Sequence, residues 1–250
     1  MSPFSPQFLP ALRRWWKEQA SQKGVSGASS LLARELWEFL RDSTPARRRQ
    51  RYGDMEYDWE HRVNTTSGTV GWRERLLGVF HSAYQPTDPA AFREMMAALP
   101  ILFDQFTFVD LGSGKGRTLL LASEYPFRRV VGVELLPALH RVAQENLASY
   151  KSEAQKCFAL EAVCCDATDF SFPAEPMVLY LFNPLPESGL RRVMANLERS
   201  LRAHPRAVYV LYHNPVLEHV LSESAAALTK RDGTHQYSIY AFTKDSPRSG

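Results

Sequence analysis

The sequence predicts an α/β fold: a seven-stranded, mostly parallel, doubly wound sheet with an antiparallel edge hairpin, plus an N-terminal helical extension. Three observations carry this. From Phe106 onward, strand-length apolar runs alternate with runs of helical spacing, the pattern of a parallel sheet with helices on both faces. The run Met177-Val-Leu-Tyr-Leu-Phe182 is almost entirely apolar, as a strand covered on both faces should be. The last two strand runs are separated by a short stretch around Asp232-Gly233, which only an antiparallel pair can bridge.

Composition agrees with a soluble globular chain. Of 250 residues, 44% are hydrophobic and 23% charged, enough for a sizeable core. The formal net charge of +3 is too small to imply a nucleic-acid partner on its own. The basic run Arg47-Arg-Arg-Gln-Arg51 is local and is followed by Asp54, Glu56, Asp58 and Glu60, so it reads as a solvated surface. Three cysteines, Cys157, Cys164 and Cys165, show no spacing for zinc or for an ordinary disulfide, which fits a reducing compartment. No apolar run approaches the roughly 18 residues of a membrane span. The N-terminus lacks the layout of a signal peptide. A cytoplasmic protein without a membrane partner is expected.

Two domains are expected, with residues 1–86 as a helical and irregular extension or lid and residues 87–245 as the ligand-binding domain. Phe8 to Ala20 and Leu31 to Arg41 have helical spacing, with Trp15, Trp16 and Trp37 as packing anchors. Residues 52–86 have weak periodicity and read as an irregular segment, long enough to suggest a lid or binding loop. Tyr84-Gln-Pro-Thr87 is a turn, with Thr87 or Asp88 capping a helix from Pro89 to Leu99. Strands are expected at Phe106–Leu111, Arg129–Glu134, Phe158–Cys164, Met177–Phe182, Ala207–Tyr212, Leu228–Arg231 and Gln236–Thr243. Helices are expected at Lys115–Tyr125, Pro137–Tyr150, Pro186–Leu201 and Val216–Ala227.

The chain is organised around Phe106-Thr-Phe-Val-Asp-Leu-Gly-Ser-Gly-Lys-Gly-Arg117. Strand, glycine turn and helix form a cradle for a small ligand, because glycines permit positive φ and close approach of the backbone. A P-loop would require Gly at 109 and Ser or Thr at 116, where Val109 and Gly116 stand. A dinucleotide turn, GxGxxG, would require a small residue where Arg117 stands. The spacing met is GxGxG, by Gly112, Gly114 and Gly116, preceded by Val109-Asp110.

This pattern resembles motif I of the class I S-adenosylmethionine (AdoMet)-dependent methyltransferases. The next strand ends agree: Glu134 after the second strand, Asp166 in Cys164-Cys-Asp-Ala-Thr168 after the third, and Phe182-Asn-Pro-Leu-Pro186 after the fourth. In open parallel sheets, ligands bind at these carboxyl ends. The resemblance covers about residues 84–243. It implies AdoMet as cofactor, with Asp110, Gly112, Ser113, Gly114 and Gly116 at its methionine part. Glu134 would hold the ribose hydroxyls, Asp166 the adenine amine, and Leu135 and Ala167 the walls of the adenine ring. Asn183 would lie nearest the methyl group. The Gly-Ser-Gly-Lys-Gly-Arg form with Tyr84-Gln-Pro-Thr87 also looks like a bacterial subgroup of unassigned substrate, distantly similar to the non-SET protein lysine methyltransferases. There the segment before motif I folds over the cofactor, which would make Tyr84 and Thr87 contacts.

The expected activity is methyl transfer to a protein side chain or a small molecule, with Asn183, His213 and Tyr84 as catalytic candidates. His213 suits a general base by its pKa, with His235 and Tyr212 as further candidates. Amino-methylating nucleic-acid enzymes carry a proline and an aromatic where Leu185 and Pro186 stand, so the face that stacks on a flipped base is missing. No Asp-rich cluster suggests a metal. A non-catalytic AdoMet-binding module is the alternative from another class, with a nicotinamide oxidoreductase and a base methyltransferase ranked lower.

Overall fold

In the computed structural model, the structure describes Gly24 and residues 55–66, 86–183, 185–224 and 228–242. The chain divides into two compact units, residues 1–59 with 66–85, and residues 60–65 with 86–250. The expected helices Phe8–Ala20 and Leu31–Arg41, the Tyr84 contact and most of the expected lid lie outside the described residues.

The strands are β1 (Thr107–Leu111), β2 (Arg129–Glu134), β3 (Leu160–Cys164), β4 (Met177–Phe182), β5 (Val208–His213), β6 (Thr229–Gly233) and β7 (Tyr237–Phe242). They form one sheet in the order β3-β2-β1-β4-β5-β7-β6. The first five are parallel, and β7 runs antiparallel to both β5 and β6. The seven-stranded, doubly wound sheet with an antiparallel hairpin is therefore observed. The chain winds outward from β1 to β3, then returns to lay β4 against the other side of β1. The crevice at such a reversal is where open α/β sheets bind ligands.

The helices are α1 (Met55–His61), α2 (Pro89–Ala97), α3 (Arg117–Ser123), α4 (Pro137–Ser149), α5 (Glu187–Ala203) and α6 (Glu218–Ser222). Met55–His61 corrects the irregular reading of residues 52–86: this short, mostly polar segment has too few apolar positions to show a period, yet it closes two helical turns. Helix α3 starts two residues later than expected, because Gly116 is at φ 83° and cannot belong to it. Helix α6 is shorter than expected from Val216–Ala227. Asp88, not Thr87, caps α2: its carboxylate accepts from the N–H groups of Ala90 and Ala91, both at 2.9 Å.

Alternation along the strands sorts the residues onto two faces. On one face, Val109 and Leu111 of β1, Leu179 and Leu181 of β4, and Val208 and Val210 of β5 pack with Leu190, Val193, Met194 and Leu197 of α5 in one core cluster. The spacing of those α5 residues is that of one helical stripe. On the other face, Phe108 and Tyr180 meet Phe92 of α2 edge-on, with ring centroids 5.8 and 6.0 Å away. Asp110 is two residues beyond Phe108 and His213 two beyond Leu211, so both point to this second face with Tyr180. The register confirms their proximity: Asp110 lies opposite Tyr180, and Phe182 opposite His213. Strand β6, at the edge, is exposed throughout and carries Lys230, Arg231 and Asp232, charges that discourage edge-to-edge pairing.

Candidate active site

The turn after β1 requires glycine on backbone grounds. Gly112, Gly114 and Gly116 have φ of 85, 54 and 83°. A Cβ on Gly116 would also meet the Cβ of Ala143 at 3.3 Å. The turn is held by its own backbone: Gly112 and Ser113 both donate to the Val133 carbonyl, at 2.8 and 3.0 Å, and Gly116 donates to Ser113 at 2.8 Å. Beneath it lies Gly132 of β2, which sequence reasoning missed. A Cβ there would come within 2.5 Å of Leu119 Cδ1 and 2.8 Å of Ser113 Oγ.

Two buried carboxyl groups flank this turn. Asp110 takes a hydrogen bond from Thr118; burial, and then the neighbouring Glu134 charge, push its carboxyl from 3.8 up to about 8. Glu134 accepts from the N–H of Gly114 and of Leu136, both at 2.8 Å, while burial pushes its carboxyl upward. Among the described residues no cationic side chain is ion-paired with either carboxyl. Among the described residues the buried Ser113 hydroxyl has no hydrogen-bond partner. Two desolvated acids at a preformed backbone turn suit a ligand that brings positive charge, as AdoMet does with its ammonium and sulfonium groups.

The turn has a second brace that its motif does not reveal. Asn146 of α4 donates to the carbonyls of Lys115 and Asn64, at 2.8 and 3.0 Å, and its Oδ1 accepts from the N–H of Asn64 at 2.7 Å. Lys115 Nζ donates to Asn64 Oδ1 at 3.0 Å, and Arg117 Nε to Thr65 Oγ1 at 2.7 Å. Arg117, the bulky residue that breaks the dinucleotide spacing, is thus buried with its guanidinium held by polar contact. No local signal marks Asn64, Thr65 or Asn146, because Asn64 pairs with Asn146 across 82 positions and Thr65 with Arg117 across 52.

At the end of β3, Asp166 Oδ1 accepts from Thr168 N and Oγ1, both at 2.8 Å, shaping the 3₁₀ turn Ala167–Asp169. Its other oxygen has none of these bonds. Leu135 is half-buried, and Ala167 is part of the core cluster.

At the end of β4, Asn183 is in the left-handed region at φ 43°. Its Oδ1 accepts from the Tyr212 hydroxyl at 2.9 Å. His213, at the end of β5, stacks on Phe182 with ring centroids 4.1 Å apart. Its Nδ1 lies 2.7 Å from the Tyr180 hydroxyl, and burial lowers its pKa while Asp88 opposes that shift. Thr87 is buried against the same tyrosine, with Oγ1 2.8 Å from the Tyr180 hydroxyl and 3.3 Å from Thr118 Oγ1. The structure therefore brings Asp110, Thr87 and His213 into one hydrogen-bonded row through Thr118 and Tyr180, both missed in the sequence. Among the described residues no grouping of His, Cys, Asp and Glu could hold a metal ion, and no helix is long and apolar enough to cross a membrane.

Residues 108–204 match the model of a methyltransferase domain. No curated protein matches the chain. Similar solved structures include a protein of Pyrococcus horikoshii OT3, at 14% identity and TM-score 0.47, covering 69% of this chain and 98% of that one. An RNA methyltransferase from Salinibacter ruber, solved with S-adenosyl-L-homocysteine, has 19% identity and TM-score 0.39, covering 66% and 98%. A precorrin-6y C5,15-methyltransferase from Geobacter metallireducens GS-15 has 14% identity and TM-score 0.45, covering 65% and 93%. None of these likenesses bears on the acceptor. The domain match and a glycine turn held between buried acids agree with one another, and residues 108–204 of this chain carry a methyltransferase domain.

Proposed function

We propose that the chain transfers the methyl group of AdoMet to a protein side chain or a small molecule, with residues 87–245 as the transferase domain and 1–86 as an extension. The observation that carries this is the paired burial of Asp110 and Glu134 at the glycine turn, with no cationic side chain ion-paired to either among the described residues. Gly112, Ser113, Gly114 and Gly116 would approach the methionine part of AdoMet, with Asp110 answering its positive charge. Glu134 would take the ribose. Asp166, through its second oxygen, would take the adenine beside Leu135 and Ala167. Bound AdoMet supplies an already activated methyl group, so the protein's task is alignment and exclusion of water.

Asn183 and His213 would face the acceptor. The left-handed backbone at Asn183 and the bond from Tyr212 hold its amide in one orientation, able to position a nucleophile. His213, kept neutral by burial, would take the acceptor's proton. Thr87 would act from behind through Tyr180, and Tyr84 is a candidate contact ahead of it. A protein or small-molecule acceptor is favoured over a nucleic-acid base, because Leu185 and Pro186 offer no ring for a flipped base. The three free thiols suit a reducing cytoplasm.

Calorimetry should show binding of AdoMet and none of NAD; the reverse result overturns the reading. Tritiated AdoMet in a cell extract should then label protein or small molecules, and Asn183→Ala should suppress the label while leaving AdoMet affinity unchanged. Label confined to nucleic acid would overturn the acceptor class. Intact binding without label in any fraction would leave a non-catalytic AdoMet-binding module.

A further inference from the structure

One row of side chains on the second face of the sheet joins the two ends of the site. Asp110 of β1 takes a hydrogen bond from Thr118 of α3. Thr118 Oγ1 lies 3.3 Å from Thr87 Oγ1, Thr87 Oγ1 lies 2.8 Å from the Tyr180 hydroxyl, and that hydroxyl lies 2.7 Å from His213 Nδ1. Thr87, Thr118 and Tyr180 are buried. Three consecutive hydroxyls thus connect the carboxyl expected at the cofactor's charge to the imidazole expected at the acceptor.

Each hydroxyl has a single proton to donate, so the row can be ordered in only two directions. An ionised Asp110 can only accept. Thr118 then donates to it, Thr87 donates to Thr118, and Tyr180 donates to Thr87. The Tyr180 oxygen is left to accept, and His213 must donate from Nδ1–H. That leaves the Nε2 lone pair free. A protonated Asp110 can donate to Thr118 and permits the opposite order, in which Tyr180 donates to Nδ1 and His213 carries its proton on Nε2. Only the first tautomer offers a base outward from Nε2.

We propose that the charge state of Asp110 selects the tautomer of His213 through the hydroxyls of Thr118, Thr87 and Tyr180, so that a positively charged cofactor, by holding Asp110 ionised, turns Nε2 of His213 into a proton acceptor. The proposal rests on the functional reading above. Thr118, Thr87 and Tyr180 are positioning residues in it. As the acceptor atom gains the methyl group, the sulfur–methyl bond breaks with its electron pair left on the sulfur of S-adenosylhomocysteine, and the acceptor's proton passes to His213 Nε2, giving an imidazolium held by the same row. Other charged and titratable groups bear on both ends. Glu134 raises Asp110, Asp88 raises His213, and Tyr237 of β7 lies in register with His213. Tyr180 stays a neutral phenol, since burial pushes its pKa well above its ordinary value. Asp110 sits at about 8, near enough to neutrality for a bound cation to ionise it.

The test is nitrogen-15 NMR of the histidine ring in the full-length protein, with and without S-adenosylhomocysteine, which keeps the ammonium group. Saturating ligand should move the His213 Nε2 resonance from the protonated to the unprotonated position. Tyr180→Phe and, separately, Thr118→Val should leave ligand binding within a few-fold in calorimetry yet abolish that movement. Thr118→Val leaves the tyrosine in place and covers the case in which Tyr180→Phe does not fold. A ligand-bound wild type with the proton on Nε2, or a Thr118→Val variant that switches as the wild type does, overturns the proposal. Absence of ligand binding overturns the functional reading instead. The coupling is then read in the free protein, where the tautomer should change as Asp110 titrates near pH 8, and an unchanged tautomer across that range overturns it.

Discussion

Asp110→Asn should stabilise the cofactor-free protein while removing its response to AdoMet. Folded Asp110 keeps its proton up to about pH 8, against an ordinary value of 3.8. Between those values the folded chain binds one more proton than the unfolded chain, so stability falls as pH rises through the window and the full benefit is present only below it. At about 1.4 kcal/mol per pH unit, the loss accumulated by pH 7 is on the order of 4 kcal/mol. Asparagine has nearly the same shape, can accept from Thr118 or donate to it, and never ionises. Allowing about 1 kcal/mol for a weaker hydrogen bond, the variant should gain ~3 kcal/mol at pH 7. For a chain of this length that is a rise in Tm on the order of 5–10 °C. The assay is thermal and urea unfolding of both proteins from pH 4 to pH 8, repeated with AdoMet. The gap between them should widen with pH in the free proteins and close when AdoMet is added, because only the wild type has a carboxylate to meet the ligand's charge. A variant less stable than wild type at pH 7, with an unchanged pH slope, would show that Asp110 is already ionised and compensated, and would refute the reasoning.

Two further substitutions separate the binding turn from the scaffold. Gly132→Ala places a Cβ 2.5 Å from Leu119 Cδ1 and 2.8 Å from Ser113 Oγ, so it should cost about 1–3 kcal/mol and weaken AdoMet binding, with Tm and calorimetric affinity as the measurements. An unchanged affinity would mean that the turn can shift without consequence. Arg206→Ala acts at the opposite, amino ends of β4 and β5, where the guanidinium donates to the carbonyls of Glu175, Ser200 and His204 and to Ser200 Oγ. It should cost about 2–4 kcal/mol on urea unfolding and leave AdoMet affinity unaltered, and Arg206→Lys should not rescue it, because an ammonium cannot span that fork.

How much of this was legible depended on the range of the interactions. Local chemistry was readable: glycines needed at positive φ at 112, 114 and 116, an unbroken apolar strand at 177–182, and acidic residues at the strand ends Asp110 and Glu134. Each follows from backbone sterics or from the period of a strand, which act over a few residues. The short helix at Met55–His61 was misread because a polar heptapeptide has no period to detect. Thr87 and Asp88 were both candidates to cap the helix; Asp88 takes the cap, and Thr87 turns inward to Tyr180. Either residue type can serve as a cap, and only packing selects between them.

The sequence by itself determined the sheet, its hairpin edge and the acidic glycine turn, because these are written in spacings between near neighbours. Tertiary structure decided what those groups are bound to. Asn64 reaches Asn146 across 82 positions, Thr87 reaches Tyr180 across 93, and Tyr180 reaches His213 across 33. Those contacts exist because parallel pairing of β1 with β4 and of β4 with β5 sets Asp110, Tyr180 and His213 on one face at one end of the sheet. Register is a property of the whole sheet. No local pattern in the chain encodes which hydroxyl will stand between an acid and an imidazole once the strands have paired.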